Sequence, residues 1–229
     1  MKPDPLYSNY LAKWSKLYHD ANYNKGLAAF FLRKSHALCE SRFGSTDYFP
    51  TVLEVGAGSG VHLQYVTHSF DKYWITDTNE EMLRRIEKNN SLTADNLIFK
   101  LEDASNLTFC DNYFDRLIAT HVLEHLANPH LVLREWNRVV RPGGIISVVL
   151  PCDPGIAWRI GRHLGSRTKY IKAGVEYDYW MAREHINPIG NLTAFIKYHF
   201  EKIEETFYPC WFPSLDLNLF YVCHLTVCK

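Results

Sequence analysis

Three groups of residues have the types and spacing for chemistry. The first is Val52-Leu53-Glu54-Val55-Gly56-Ala57-Gly58-Ser59-Gly60, a short β-type run closed by alternating glycines. Glycines at such a turn let the backbone bend sharply and approach a ligand closely. A dinucleotide fingerprint would read G-x-G-x-x-G, and counted from Gly56 its third glycine would fall on Val61. The G-x-G-x-G actually present fits a ligand with no pyrophosphate to cradle. Glu54, two residues ahead, can face a cationic part of that ligand directly or through water. The second group is a pair of acids after the next two strands. Asp77 lies 17 residues beyond Gly60, where a carboxylate can accept both hydroxyls of a ribose. Asp103 can accept an adenine amino group while the amide of Ala104 donates to the ring. Either acid alone is an ordinary cap or turn residue. At successive strand ends they read together as one nucleoside site, because ligands of open α/β sheets bind there.

The third group is His121, His125 and His185. Histidine can take a proton near neutral pH. If His121-Val122-Leu123-Glu124-His125 is helical, its two histidines share one face beside Glu124. That spacing suits loop bracing by hydrogen bonds, a general base or a metal, and bracing is the ordinary role. His185 sits in Glu184-His185-Ile186-Asn187, flanked by aromatic residues. The surrounding stretch 151–200 offers Trp158, Tyr170, Tyr177, Tyr179 and Trp180 as aromatic faces. Arg159, Arg162, Arg167, Lys169 and Lys172 form a local basic cluster. Such a cluster is either a solvated cationic loop or a contact for an acceptor carrying phosphate or carboxylate.

The elements that must position these groups follow from hydrophobic periodicity. Residues 6–43 have a helical pattern broken at Asn22–Gly26. Strands are predicted at Thr51–Val55, Tyr73–Thr76, Leu97–Leu101, Phe114–Ala119 and Ile145–Leu150. Between them, 61–69, Glu80–Asn89 and Leu131–Val140 have helical patterns, the last stopped by Arg141-Pro142-Gly143-Gly144. The alternation implies a parallel sheet covered on both sides. It gives way to an insertion over 151–200 and then to two β-like runs, Lys202–Tyr208 and Leu219–Val227. With no helix between them, these two are predicted to pair antiparallel. The expected organisation is one domain over 1–229: a helical segment (1–48), a cofactor-binding core (49–150), an acceptor-site insertion (151–200) and the final antiparallel strands (201–229).

The strings VLEVGAGSG, ITD, EDAS, FDRLIATHVLEHL and LREWNRVVRPGGIISVVLP resemble the serial motifs of class I S-adenosylmethionine-dependent methyltransferases, of the "methyltransferase type 11" group. The match runs over roughly 50–150. The resemblance implies a Rossmann-like α/β fold with strand order 3-2-1-4-5-7-6 and strand 7 antiparallel. It implies S-adenosylmethionine as cofactor, held by Gly56, Gly58, Asp77, Asp103 and the Thr120-His121 edge. Glu54, Ala57, Gly60, Thr78 and Ala104 stand alongside as further candidates. The stretch around His121 and His125 is also similar to the metal-binding segment of certain ubiquinone-pathway and small-RNA 2′-O-methyltransferases. Those place a Glu where this chain has His121, and no metal is expected here. CDPGIAWRIGR with AREHINPIGNL looks similar to methyltransferases associated with surface-glycan synthesis, which implies a sugar hydroxyl as acceptor.

Composition bounds the alternatives. The chain has 229 residues, 47% of them hydrophobic, and a formal net charge of zero, so no global basic field draws it to nucleic acid. The amino-terminal residues lack the apolar run of a signal peptide, and no stretch approaches the ~20 apolar residues of a membrane span. The six cysteines show no C-x-x-C pair and read as reduced, mostly buried thiols of a cytoplasmic protein. The expected function is transfer of a methyl group to a sugar hydroxyl on a glycan or glycan precursor. His185, His121 or His125 is the candidate base, and Trp158, Arg159, Arg162, Tyr177, Tyr179 and Trp180 are the candidate acceptor contacts. The alternatives are another small acceptor (a quinone-type phenol or an amine) and, in a different class, a non-catalytic cofactor-binding protein. A nicotinamide oxidoreductase is disfavoured by Val61.

Overall fold

The computed structural model describes Tyr10, residues 26–88 and residues 95–229, the side chain of Ser166 excepted. Seven strands form one sheet: β1 (Thr51–Val55), β2 (Lys72–Asp77), β3 (Leu97–Leu101), β4 (Phe114–Thr120), β5 (Val140–Pro151), β6 (Lys202–Tyr208) and β7 (Phe220–Thr226). Their order is 3-2-1-4-5-7-6. The pairs among β1 to β5 are parallel, and β7 runs antiparallel to both β5 and β6. The expected Rossmann-like architecture is therefore present, including the reversed strand. Every residue of β4 is buried, as a central parallel strand covered on both faces requires.

Seven helices accompany the sheet among the described residues: α1 (Leu27–Glu40), α2 (Glu80–Lys88), α3 (Pro129–Val139), α4 (Ile156–Leu164), α5 (Ser166–Lys172), α6 (Tyr177–Glu184) and α7 (Ile189–His199). Asn79 caps α2, its Oδ1 accepting from the amides of Glu81 and Met82. Met82, Leu83 and Ile86 turn inward while Glu80–Arg84 and Glu81–Arg85 pair on the outer face. Of the helical run expected over 6–43, residues 27–40 form α1, and residues 1–9 and 11–25 lie outside the described residues, as does Asn89 after α2. No described helix is long and apolar enough to cross a membrane.

Two local expectations are corrected. The segment 61–69 is not an α-helix: it makes one 3₁₀ turn at His62–Tyr65 and then extends at Val66, because buried His62 is drawn to Glu40. Arg141-Pro142-Gly143-Gly144 ends α3 as expected but is itself part of β5, at a register shift opposite Phe114 and Arg116. A side chain at Gly144 would meet Val140 Cγ1 at 2.6 Å and the Asp115 carbonyl at 2.8 Å, so only glycine lets the bulge lie against β4.

A buried ion pair joins α1 to the sheet. Arg116 on β4, fully buried, donates through both terminal nitrogens to Glu40 at 2.8 and 2.6 Å, and His62 Nε2 meets Glu40 Oε1 at 2.8 Å. Burial opposes ionisation of Glu40, but these partners lower its carboxyl to about 2. Such pairs are costly to break because one partner is left charged in a dry interior. Cys39, Cys152 and Cys223 are buried, and all six cysteines are free.

Candidate active site

Strand register brings the sequence-separated candidates to one edge. Val55 on β1 pairs with Thr76 on β2 and Ala119 on β4, and Asp77 pairs with Leu101 on β3. The residues at or just beyond these strand ends, Gly56, Asp77, Asp103 and Thr120-His121, therefore gather at the carboxyl end of the sheet. Gly56 and Gly58 both adopt left-handed backbone, φ 62° and 56°. A side chain at Gly56 would lie 2.6 Å from Val122, so the turn admits only glycine. Asp77 holds this loop: Oδ2 accepts from Gly58 N–H at 2.8 Å, and Oδ1 accepts from Asn79 N–H at 2.8 Å. Each oxygen keeps a lone pair for a ribose hydroxyl. Asp103 Oδ1 accepts from the amide and hydroxyl of Ser105, and Trp136 donates to the Ala104 carbonyl, fixing the β3 exit.

A cavity of about 700 Å³ runs from this loop to the insertion. Its lining includes Gly56, Gly58, Asp77, Thr78, Asp103 and Ala104 from the strand ends, Trp158, Tyr177, Trp180 and His185 from the insertion, and His121 and His125. The remaining candidates lie elsewhere. Ala57 and Gly60 close the turn by backbone hydrogen bonds to Thr76 and to Ala57 respectively, and Thr120 is a buried β4 residue. The side chain of Glu54 is buried behind the strand, with Oε2 accepting from Tyr73 at 2.8 Å. Its Oε1 has no partner among the described residues, and burial raises its pKa. Arg159 and Tyr179 are exposed, and Arg162 points at Asp153 rather than into the cavity.

The histidines occupy three different settings. The pentapeptide does not wind as one helix: His121 has φ 58°, and only Leu123–His125 makes a 3₁₀ turn. His121 Nε2 lies 2.9 Å from the Ser35 hydroxyl, which itself donates to the Leu32 carbonyl, so the histidine is the donor. Burial lowers its pKa to about 3, with the charges of His125 and His185 adding to the effect. His125 Nδ1 donates to the Glu184 carbonyl at 2.9 Å, and burial holds this ring low as well. Both rings approach Oε1 of buried Glu124 at 3.8 Å, and burial pushes that carboxyl up to about 8. Glu124 Oε2 is buried without a partner among the described residues.

His185 differs. Its Nδ1 lies 3.0 Å from Asp153 Oδ2, and its ring stands edge-on to His125, 4.8 Å between centroids. Burial disfavours the Asp153 carboxylate, but the His185 hydrogen bond and the nearby charges of His185 and Arg162 outweigh this and lower its pKa. An ionised Asp153 fixes the proton on Nδ1 and leaves the lone pair on Nε2. The sequence reading missed Asp153. Its only sequence signal is the Asp153-Pro154-Gly155 turn, which shows neither its partner nor its burial. Tyr10 was also missed as a cavity residue, and it stacks on Trp180 at 4.0 Å.

Residues 53–148 match the methyltransferase domain family. The ubiquinone/menaquinone biosynthesis C-methyltransferase UbiE of Bordetella avium is 38% identical over 122 residues, covering 47% of this chain and 45% of that protein. A highly reducing polyketide synthase of Aspergillus terreus is 30% identical over 155 residues, 62% of this chain and 6% of that protein. The matches thus span less than half the length of these curated relatives. Among solved structures, the N-methyltransferase NodS of Bradyrhizobium japonicum, in complex with S-adenosylhomocysteine, shares the fold with a TM-score of 0.63 at 12% identity, covering 96% of this chain and 98% of that one. The glycine loop and both strand-end acids fall within the matched segment, residues 53–148, which is similar to the methyltransferase domain.

Proposed function

We propose that the chain methylates a hydroxyl on a small, ring-shaped acceptor, with a sugar as the first class to test, and that His185 removes the acceptor proton. The observation that carries this reading is His185, which lines the same cavity as Gly56 and Gly58 and is held from behind by Asp153 at 3.0 Å. Bound S-adenosylmethionine supplies a methyl group already activated on a sulfonium. The chain's own residues must then align an acceptor, exclude water and take up a proton. Trp158, Tyr177 and Trp180 offer flat apolar walls for a ring, and Glu124, held neutral by burial, offers a hydrogen-bond donor. His121 donates to Ser35 through Nε2, which supports bracing for that ring.

A second reading is methylation of an acidic carbon beside a carbonyl. It is favoured by the names of relatives, UbiE being a C-methyltransferase. Both acceptors lose a proton, so His185 keeps its role, whereas a neutral amine can attack through its own lone pair. A screen with labelled methyl donor against sugars, nucleotide sugars, phenols and β-dicarbonyls tests the reading. Label on an oxygen of a ring acceptor supports it. Label on carbon selects the second reading, and turnover of amines alone overturns both.

A further inference from the structure

α4 carries Ile156, Ile160 and Leu164 four residues apart, a single stripe on a helix. Such a stripe ordinarily turns into the core. Here none of the helix's nine residues is buried, and these three side chains are 50%, 54% and 72% exposed. The inward face is already committed, with Trp158 on the cavity and Gly161 against Leu219. Neighbouring elements carry further exposed apolar side chains. Ile171 on α5 is 45% exposed. The β6–β7 loop, tied to α4 by Ala157 N–H to the Asp216 carbonyl at 2.8 Å, holds Trp211 at 91% exposure.

Along α4 and α5 themselves the charge has one sign. From Ile156 to Lys172 the sequence has Arg159, Arg162, Arg167, Lys169 and Lys172 and no carboxylate. Arg162 faces Asp153 and Arg167 pairs with Asp178. Arg159 and Lys172 are exposed without an ion-pair partner among the described residues. Two copies meeting through this face would bring like charges together. An anionic, apolar-backed surface complements it.

We propose that α4 is a membrane-contact helix, lying at the headgroup boundary of an anionic bilayer. Ile156, Ile160 and Leu164 enter the acyl edge, Trp211 lies at the interface, and Arg159 and Lys172 meet lipid phosphates. An amphipathic helix with aliphatic side chains on one face and cations beside them binds in this way. Docking places the cavity behind Trp158 one helix away from the lipid headgroups.

The test is co-sedimentation of the full chain with vesicles of phosphatidylcholine alone and of phosphatidylcholine mixed with phosphatidylglycerol. The wild type is expected to partition onto the mixed vesicles, and less so at high salt. Ile160→Asp with Leu164→Asp should cut that partitioning on the order of tenfold or more. Arg159→Glu with Lys172→Glu should cut it too, while calorimetric affinity for S-adenosylmethionine stays at wild-type level in both variants. Absence of wild-type partitioning, or aspartate variants that partition equally, overturns the proposal. So does light scattering that finds a dimer dissolved by the same aspartates, which would assign the face to a second copy.

Discussion

Asp153 Oδ2 and His185 Nδ1 lie 3.0 Å apart, joining the turn after β5 to the residue after α6 across 32 positions of sequence. The carboxylate fixes which nitrogen carries the proton. His185→Ala is therefore expected to bind S-adenosylmethionine as the wild type does and to lose on the order of 10²- to 10⁴-fold in kcat. Asp153→Asn keeps the imidazole but releases its tautomer and is expected to lose on the order of 10- to 100-fold. Equal pH–rate profiles for wild type and Asp153→Asn would show that Asp153 only stabilises the fold.

Asp77 holds the glycine loop through Gly58, and the proposed reading gives it a second duty, accepting a ribose. Asp77→Ala should weaken S-adenosylmethionine binding by ~1–3 kcal/mol. Asp77→Asn keeps one acceptor oxygen and should fall between alanine and wild type. Calorimetry with the donor and with free methionine separates the duties: a ribose contact weakens only the nucleoside-bearing ligand. Unchanged donor affinity in folded Asp77→Ala would remove the ribose assignment.

The loop and the strand-end acids were legible because each is local, and the parallel sheet because strands and helices alternate along the chain; the strand order followed only from the family resemblance. Gly56 and Gly58 announce a turn by composition, and Asp77 announces itself by where β2 stops. What the sequence could not show was which face of an element turns inward. The period of α4 marks it as amphipathic, yet sequence alone offers Arg159 and Arg162 as acceptor contacts, whereas the structure directs the first to solvent and the second to Asp153. Likewise Glu54 reads as a ligand contact from its spacing, but alternation along β1 sends its side chain to Tyr73. The Glu40–Arg116 pair spans 76 positions and left no local signature.

Glu124 makes stability depend on pH. Its carboxyl rises from 4.5 to about 8 in the folded chain, so the native state holds this proton more tightly than the unfolded state. Its contribution is fully present below about pH 4.5 and is lost as pH rises toward about 8. Glu124→Gln removes the titration. Denaturant unfolding from pH 5 to 8 should show wild type losing on the order of a few kcal/mol relative to the variant. Parallel curves for the two proteins would contradict a raised carboxyl.

The Glu40–Arg116 pair gives a prediction of opposite kind. Arg116→Met leaves Glu40 buried with only His62 and, at 4.0 Å, His68 beside it, and should cost about 3–5 kcal/mol. Glu40→Gln with Arg116→Met removes both charges and should recover much of that loss. A double-mutant cycle by urea unfolding checks it; additive costs would mean that the two side chains do not interact.

Transfer of labelled methyl from S-adenosylmethionine to a hydroxyl-bearing ring acceptor, compared between wild type and His185→Ala at matched donor saturation, tests the central claim most directly. The account predicts label on the acceptor oxygen with wild type, with an acidic limb in the pH–rate profile. In the variant it predicts transfer lower by on the order of 10²-fold or more, with the acidic limb gone. Transfer at the wild-type rate by His185→Ala, or a wild-type chain that binds no S-adenosylmethionine, would contradict it.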